Sequence, residues 1–571
     1  MRSIAAWLVV AAAAVWAQPA LLTDASDGVE RARLIHAATG AQVSGAEPAL
    51  IGETLIAAAS GVDSPVRVLI ADASIEGSID EDGNVSFVVP EVRGGGFVQL
   101  SLESPSGRTN AATFPLAAAS DGMQLTAGEV RDLALKAATA IDAPGLAVAI
   151  VDRAGNPLAI YARPGASSTV IETALSLART GAFFSNGQAP LSSRTVRFIS
   201  TENFPEGIPN QPAAALFGIE NTNRGCTLSG EYLPGQAVPP SRNAAGTGPG
   251  LGITTVPGGI PLYRNGGTVI GGIGAAGVDP AAAEFAVVAA TAGTSFFVGL
   301  PLPPPGAVFI DGFRLPYVNQ TTRPAGTAAA ASPGGSFVIG PFDGQSAPDG
   351  WLVGPKSGAM LAADEVRRMV ESAVDRANRT RAQIRLPLGS RTRMVISVAD
   401  LDGTILGLYR MSDATVFSMD VAATKARNVV YFSSNALDPR DLPGVPPGTA
   451  VTNRTIGFGA QSMFPSGIQN STPGPFRDLY LFDRANPCTQ GRQTANPNQS
   501  GIVFFPGSSP LYKGGKLAGG LGVSGDGVEQ DDYVTAGGAH GFEAPEAIRA
   551  DQIFIRSVRL PYWKFPRNPE Q

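Results

Sequence analysis

Glycines in a G-x-G-x-x-G pattern occur twice in this sequence and could bind a phosphate group. The pattern spans Gly272–Gly277 and again Gly520–Gly525, each time between a predicted strand and a predicted helix. A dinucleotide site needs a parallel β-α-β unit and an acidic residue about 20 residues further on. Here a short turn joins each strand to its neighbour, which predicts antiparallel pairing. We therefore favour close backbone packing over a nucleotide site, while a ligand carboxylate at the following helix start stays open.

Other chemistry is limited by the supply of side chains. Histidine occurs only as His36 and His540, so a Ser-His-Asp triad has almost no candidates. No C-x-x-C or histidine-rich zinc spacing is present. Catalysis by side chains alone is therefore not indicated, although a bound cofactor could bring its own chemistry.

The two cysteines, Cys226 and Cys488, each follow an F-P-x-G-I segment by a similar interval. An even number of cysteines in an oxidising compartment favours a bridge. Equivalent residues close to a pseudo-twofold axis can meet, but two separate thiols fit the sequence equally well.

The elements that would position these residues are repeated. Pro257–Gly277 has a close copy at Pro506–Gly525, and seven such landmarks occur in one order twice. Each copy predicts a helix, a hairpin, a second helix, an irregular Gly/Pro-rich stretch, a β-pair, a helix and a closing R-L-P-Y strand. The second copy inserts about a dozen residues near Arg385–Arg393. Copies this long indicate a domain duplication, because solenoid units run about 20–50 residues.

A stretch of short β-like runs precedes the duplication. The runs are Thr54–Ala58, Val66–Ile70, Val85–Val89 and Phe97–Leu102, with turn residues between them. The pattern resembles the immunoglobulin-like modules of large exported bacterial proteins. We therefore predict an α+β chain, in which a small all-β immunoglobulin-like sandwich precedes two similar α/β domains, each with an antiparallel sheet flanked by helices. The predicted boundaries are 1–17 for a signal peptide, 28–118 for the sandwich, 122–320 for the first copy, 321–350 for a linker and 351–571 for the second copy.

The N-terminus and the charge narrow the location and the partners. Met1–Ala17 has a positive start, an apolar run and a Val15-x-Ala17 cleavage site, which predicts a secretory signal and a secreted or periplasmic protein. The apolar run is shorter than the roughly 20 residues that span a membrane. Charged residues make up 16% of the chain and the net charge is −6, so nothing indicates nucleic-acid binding.

The motif order resembles the haem-binding HbpS/GlcG family. The first copy carries it as LTAGEV, LAVAIVDRAGNPLAIYAR, ALSLARTGAFF, PGGIPLYR and VIGGIGAAG, and the second as VISVADLDGTILGLYR, AATKARNVVYF and LAGGLGVSGDGVEQDD. The resemblance implies a domain with an antiparallel sheet of about five strands and helices against it. It also implies oligomers and, in several members, a bound haem or corrinoid.

The resemblance implies haem as the cofactor and suggests which residues would hold it. The candidates are Tyr409, Lys425, Arg427 and His540 in the second copy and Tyr161 and Arg179 in the first. His540 could ligate iron or cap a helix end, and it aligns with Ala292. The arginines could pair with a propionate or tie the helix to the sheet. Lys425 becomes Leu177 in the first copy.

We therefore expect an exported, non-enzymatic binding protein for a tetrapyrrole-like small molecule. Its two copies would pack as an internal pseudo-dimer, and further homo-oligomer formation stays open. A structural or adhesive exported protein without a ligand is the alternative, since two candidate ligands are absent from the first copy. An enzyme acting on a small metabolite rests on family analogy alone.

Overall fold

The computed structural model describes residues 18–24, 31–44, 47–70, 73–90, 96–116, 124–226, 241–264 and 267–570. The predicted signal peptide, Met1–Ala17, lies outside the described residues. The described residues divide into two compact units, one within 18–92 and 99–115 and one whose main part lies within 116–570. No helix among the described residues is long and apolar enough to cross a membrane.

The first unit consists of strands, and all four predicted β-runs are confirmed as strands. Residues alternate along them: Val66, Val68 and Ile70 are buried while Arg67 is exposed, which is the pattern of a sheet with one face in a core. The strand Ala73–Ile79 pairs with Val66–Ile70 through its first five residues and with Val85–Val88 through its last two. The strands are β1 (Ala20–Leu21), β2 (Thr23–Asp24), β3 (Arg31–Ala32), β4 (Leu34–His36), β5 (Thr54–Ala57), β6 (Ala59–Ser60), β7 (Val66–Ile70), β8 (Ala73–Ile79), β9 (Val85–Val88), β10 (Gly96–Ser104), β11 (Gly107–Arg108) and β12 (Ala112–Leu116).

The second unit begins with the first copy. Its first helix starts at a capping box, in which the Thr126 hydroxyl accepts from the backbone N–H of Glu129 and the Glu129 carboxylate accepts from the backbone N–H of Thr126. The elements are α1 (Ala127–Ala140), β13 (Ala147–Asp152), β14 (Pro157–Ala162), α2 (Ser168–Phe184), α3 (Ser193–Phe198), a 3-10 turn (Ile219–Asn221), β15 (Gly259–Arg264), β16 (Thr268–Ala276), α4 (Pro280–Thr291), β17 (Phe309–Ile310) and β18 (Phe313–Arg314).

The second copy repeats these elements after a connecting segment. Its elements, with two strands of the connector first, are β19 (Ser336–Ile339), β20 (Gly350–Val353), α5 (Ala363–Arg379), β21 (Val395–Ala399), β22 (Ile405–Arg410), α6 (Ser418–Phe432), α7 (Asn453–Ala460), α8 (Arg477–Ala485), β23 (Ser508–Lys513), β24 (Lys516–Ser524), α9 (Val528–Gly538), two 3-10 turns (Glu546–Ile548 and Ala550–Gln552), β25 (Phe554–Ile555) and β26 (Val558–Arg559).

The two copies have sheets of the same topology and register. Each sheet has five antiparallel strands, in the order β15-β16-β13-β14-β19 and β23-β24-β21-β22-β20. Ala147 pairs with Ala276 in the first, and Val395 pairs with Ser524 in the second, so both partners shift by the same 248 positions. The predicted α+β class and the five-stranded antiparallel sheets are confirmed.

The fifth strand of each sheet comes from the connector between the copies. Strand β19 lies inside the predicted linker 321–350 and pairs with β14, and β20 begins at its last residue and pairs with β22. The R-L-P-Y segments were predicted as closing strands, but only their arginines lie in strands. Arg314 ends β18 and Arg559 ends β26, in the small hairpins β17-β18 and β25-β26 apart from the main sheets. The sequence does not predict these strands, because four residues at the edge of a sheet are too few to show a clear alternation of apolar and polar residues.

Each sheet is covered on both faces. Along β13 every residue is buried. Ala147, Ala149 and Val151 belong to the core on the side of α2, while Val148 and Ile150 belong to the core that contains residues of α1 and α4. Burial on both faces explains the continuous apolar run in place of an alternating one.

Candidate functional site

The first two glycines of each G-x-G-x-x-G segment lie on the inner strands β16 and β24, and the third directly follows the strand. A Cβ atom on Gly272 would lie 2.1 Å from the carbonyl oxygen of Ala178 in α2, and one on Gly520 would lie 2.1 Å from that of Ala426 in α6. Both strands pair antiparallel with a neighbour on each side. The glycines therefore let each helix touch its sheet, and the close-packing interpretation is confirmed.

Arg179 and Arg427 make the same contact in their two copies. Arg179 donates from Nε to the carbonyl of Gly155 at 3.0 Å, and Arg427 donates from Nε to that of Gly403 at 2.8 Å. Both glycines occupy hairpin turns with positive φ, 90° and 85°. Burial lowers the pKa of Arg179 to about 10. Of the two roles expected from the sequence, these contacts support the tie between helix and hairpin.

Tyr161 and Tyr409 hold the connector strands. The Tyr161 hydroxyl accepts a hydrogen bond from the backbone N–H of Gly335 at 2.8 Å. The Tyr409 ring packs edge-on against Trp351 with a centroid distance of 5.3 Å. Burial raises the pKa of Tyr409 well above its usual range, so its hydroxyl is neutral and buried in a packed interior.

Lys425 is fully buried in the second copy. Its Nζ donates to the carbonyl of Val523 at 2.7 Å and forms an ion pair with Asp531 Oδ2 at 3.0 Å. The ring centroid of Phe505 lies 5.0 Å from the same nitrogen. A buried charge that is both paired and hydrogen-bonded is unusual enough to mark a candidate functional group.

His540 lies at the surface, just after α9, with 88% of its side chain exposed and Nδ1 3.2 Å from Glu543 Oε1. Its side chain is therefore exposed, whereas the other five candidates are buried. None of the six lines either of the two cavities described below. Among the described residues, no group of three or more His, Cys, Asp or Glu side chains is arranged to hold a metal ion.

Residues of the two copies meet around Arg385, whose side chain is 1% exposed. Its guanidinium pairs with Asp526 through Nε and with Asp413 through Nη1, the latter at 2.7 Å. Asp413 also accepts from the backbone N–H of Gly187 in the first copy at 3.0 Å. Sequence reasoning missed this cluster, although Arg385 begins the insertion that distinguishes the second copy.

A loop of the first copy is also bonded to the second. Asn221 donates to Asp483 Oδ2 at 3.0 Å, and the backbone N–H of Asn223 donates to Asp420 Oδ2 at 2.8 Å. Cys226 and Cys488 form a disulfide across 262 positions. Of the two cysteine states considered, the structure has the bridge.

Asp483 gives this contact a pH dependence. Burial raises the pKa of Asp483 to about 8, whereas an unfolded aspartate has a pKa of about 3.9. The folded state therefore binds the proton more tightly, and the free energy of unfolding falls as pH rises from about 4 to about 8. The variant Asp483→Asn can still accept a hydrogen bond from Asn221. We expect its free energy of unfolding to exceed that of the parent by more than about 1 kcal/mol at pH 8 and by much less at pH 5.

Urea denaturation of both proteins at the two pH values, without reductant, measures this difference. Asp478→Asn, an exposed change on the same helix, is the control and should show the parent's pH profile. Parallel profiles for Asp483→Asn and the parent would show that Asp483 is charged in the folded state.

Residues of both copies line several cavities, and two of these are named here. The larger, called here the proline cleft, is about 320 Å³ and is lined by Val298, Leu302 and Pro303–Pro305 of the first copy and Leu386 and Pro387 of the second. The smaller, called the aromatic crevice, is about 20 Å³. Its walls include Phe184 and Phe417, which stack at 4.0 Å, together with Phe505, and Asp531 lies on its lining.

The repeated domain matches a known family. The family model described as haem degrading protein HbpS-like matches residues 124–292 and 361–540, more than half of the chain. The corrinoid adenosyltransferase PduO of Salmonella typhimurium (strain LT2) is 27% identical over 171 residues, which are 30% of this chain and 35% of PduO. The match therefore spans about a third of that relative's length.

Two solved structures are similar to part of the chain. Klebsiella pneumoniae protein ORFY, of family-model DUF336, is 19% identical with a TM-score of 0.22, and the match covers 34% of this chain and 96% of that one. A PduOC:heme complex is 22% identical with a TM-score of 0.21, and covers 33% and 98%. Because the family model matches both repeats separately and covers most of the chain, this protein belongs to the HbpS-like family and carries its domain twice in tandem.

Proposed function

We propose that this protein binds a haem-type tetrapyrrole in the proline cleft and acts as a carrier and not as an enzyme. The observation that carries the proposal is the cleft itself, about 320 Å³ with leucine, valine and proline side chains contributed by both copies. Clefts that bury small ligands are about 300–1,000 Å³, and this one combines its apolar side chains with polar groups such as that of Gln188. Family membership adds support, since the family description names haem.

The lining suits the macrocycle better than the iron. Val298, Leu302 and the prolines offer flat apolar surface, on which a tetrapyrrole ring would lose water-exposed area. No histidine, cysteine or methionine lines the cleft, and the hydroxyl of Tyr263 donates to the carbonyl of Asn186 at 2.9 Å. A bound ring would therefore be held by apolar contact with these side chains. A bound haem would supply the Soret absorption that reports its binding.

Titration with hemin and with metal-free protoporphyrin IX tests the proposal. Because apolar contact does not depend on the metal, we expect both to bind with micromolar affinity and one molecule per chain. Leu302→Asp should weaken both about tenfold, equivalent to ~1.4 kcal/mol, since a carboxylate would be desolvated against the ring. Leu300→Asp is the matched control, because Leu300 is in the same segment, 41% exposed and outside the lining.

The variant His540→Ala distinguishes ligand binding in the proline cleft from binding at the surface around His540. It should leave both affinities unchanged, since the imidazole is exposed and not part of the cleft. Loss of hemin binding in this variant, with protoporphyrin binding retained, would place the ligand at His540. The absence of any Soret shift at micromolar hemin would contradict tetrapyrrole binding altogether and favour a structural or adhesive role.

The location and assembly belong to the same proposal. A secreted or periplasmic location is supported by the Cys226–Cys488 bridge, since disulfides persist in oxidising compartments. An internal pseudo-dimer of the two copies is supported by the Phe184–Phe417 stack and the Asn221–Asp483 hydrogen bond. An immunoglobulin-like grouping of the first unit is supported by its short, mostly antiparallel strands.

A further inference from the structure

A further cavity between the two copies is polar, and we call it the polar cleft. It has a volume of about 210 Å³ and is lined by Glu202, Phe217 and Glu220 of the first copy and by Tyr480 and Arg484 of the second, together with small hydroxyl side chains. A single water occupies about 30 Å³, so the cleft has room for a small organic molecule. It shares no lining residue with the proline cleft.

Regular elements of both copies position the lining. Tyr480 and Arg484 are four positions apart in α8, which places them on one face of that helix. Glu220 lies in the 3-10 turn of the first copy. The Tyr480 ring stacks on that of Phe217, just before this turn, with a centroid distance of 4.9 Å. The helix of one copy and the turn of the other therefore face each other across the cleft.

Fixed contacts between the copies hold Glu220 and Arg484 in place. Asn221, which follows Glu220, donates to the carboxylate of Asp483 at 3.0 Å. Asp483 precedes Arg484 in α8, and both hydrogen-bonded side chains are buried. The disulfide between the copies joins the same two segments shortly after these residues. The frame that carries the carboxylate and the guanidinium is thus preorganised, which lowers the entropy cost of binding a ligand between them.

The charges that line the polar cleft leave one group of each sign without an ion pair. Arg197 and Glu202 are each paired with a residue outside the lining, at 3.0 Å and 2.8 Å. The other two charged side chains are Glu220 and Arg484, and both are exposed. Glu220 accepts a hydrogen bond from the Thr255 hydroxyl at 2.7 Å. Neither Glu220 nor Arg484 forms an ion pair with the other or with any further residue that the structure describes. The cleft therefore suits a ligand that carries one charge of each sign.

The Tyr480 hydroxyl adds a donor on the same face of α8 as the Arg484 guanidinium. Tyr480 is 8% exposed, and its hydroxyl makes no hydrogen bond within the described part of the chain. Burial raises the pKa of this hydroxyl, so it stays protonated and can donate at neutral pH. A carboxylate can accept from a guanidinium through two parallel hydrogen bonds. The Tyr480 and Phe217 rings offer apolar surface to the rest of a ligand.

We propose that the polar cleft binds a free amino acid with an apolar side chain, at a site separate from the proline cleft. The carboxylate of the ligand accepts hydrogen bonds from Arg484 and Tyr480. Its ammonium group donates to Glu220, and its side chain packs against Phe217. A molecule with only one of the two charges leaves either the guanidinium or the carboxylate without a partner, so the cleft discriminates against amines and simple carboxylic acids of the same size.

Calorimetric titration of the full chain at pH 7 with three molecules of the same carbon skeleton tests this inference. L-leucine carries both charges, 3-methylbutylamine lacks the carboxylate, and 4-methylpentanoate lacks the amine. We expect L-leucine to bind at one molecule per chain with a Kd of about 1 mM or tighter. The other two should bind at least about tenfold more weakly, because each loses charge-assisted hydrogen bonds. The inference is overturned if L-leucine shows no saturable binding, or if either of the other molecules binds as tightly.

Substitutions at the two charged groups complete the test. Arg484→Gln should weaken L-leucine binding at least about tenfold, whereas Arg368→Gln, an exposed arginine of α5 outside the cleft, should leave it unchanged. Glu220→Gln can still accept from Thr255, and L-leucine and 4-methylpentanoate should then bind about equally. Hemin affinity should match that of the parent in both cleft variants, since neither residue lines the proline cleft, so the two sites are tested separately. Unchanged L-leucine affinity in Arg484→Gln would contradict the assignment of this site.

Discussion

Replacing Arg385 by methionine is expected to lower the free energy of unfolding by about 3–5 kcal/mol, the cost of breaking a buried ion pair. Arg385 is 1% exposed and is paired with Asp526, which is fully buried, and with Asp413. Methionine fills much of the volume but leaves both carboxylates in the interior without their cation. The loss is therefore electrostatic and not a packing defect.

The expected loss also includes the contact between the copies. Asp413, which Arg385 holds at 2.7 Å, accepts the Gly187 N–H of the first copy. Protonation of the two freed carboxylates will reduce the loss at acidic pH, since a neutral carboxyl is cheaper to bury. We therefore expect the variant to be closest to the parent near pH 4–5 and furthest from it above neutral pH.

Equilibrium denaturation in urea, followed by tryptophan fluorescence at pH 5 and pH 8, measures this loss. Arg379→Met is the matched control: Arg379 is about half exposed and pairs with Asp375 one helical turn away. Such surface pairs contribute about 0.3–0.5 kcal/mol. Similar small losses for the two variants would show that Arg385 is not the cation on which this interior depends.

Gly520→Ala is expected to cost about 3 kcal/mol or more, at the upper end of overpacking effects. The new Cβ would lie 2.1 Å from the carbonyl oxygen of Ala426. Because that oxygen belongs to the backbone of α6, no side-chain rotation can relieve the overlap, and the helix must move off the sheet. Gly272→Ala, 2.1 Å from the carbonyl oxygen of Ala178, should behave alike in the first copy.

Gly299→Ala is the control, because nothing lies within 4 Å of the added atom. Thermal unfolding of the three variants separates packing from ligand binding. A packing role predicts a lower melting temperature for Gly272→Ala and Gly520→Ala whether or not hemin is present. Normal stability with a loss of ligand affinity would instead support backbone contact with a bound group.

The strength of the sequence-based predictions differs between local and distant features. The hairpins and the helices of both copies could be predicted because each depends on neighbouring residues. Because the elements occur in both copies, each could be predicted twice. The family model matches both copies, which confirms the duplication. The strands β19 and β20 were missed because their pairing partners, and not their own residues, make them strands.

The candidate ligands show the same limit. Tyr161, Arg179, Tyr409 and Arg427 have side chains suited to a cofactor, yet in the folded chain each contacts the hairpins or the connector. Asp531 is not a candidate from the sequence, since its ion pair is with Lys425, 106 positions away in the chain. Residue type alone cannot distinguish a ligand from a structural contact when the neighbours are unknown.

The order of residues established the duplication, the α+β class and the family, because these follow from local periodicity and from motifs repeated along the chain. The folded structure alone decided that Cys226 meets Cys488, that the connector completes both sheets, and that Lys425 faces Asp531 where Leu177 faces Ala283. These are contacts between residues far apart in the chain. Their distances are set by how helices and sheets pack, and no short stretch of sequence carries that information.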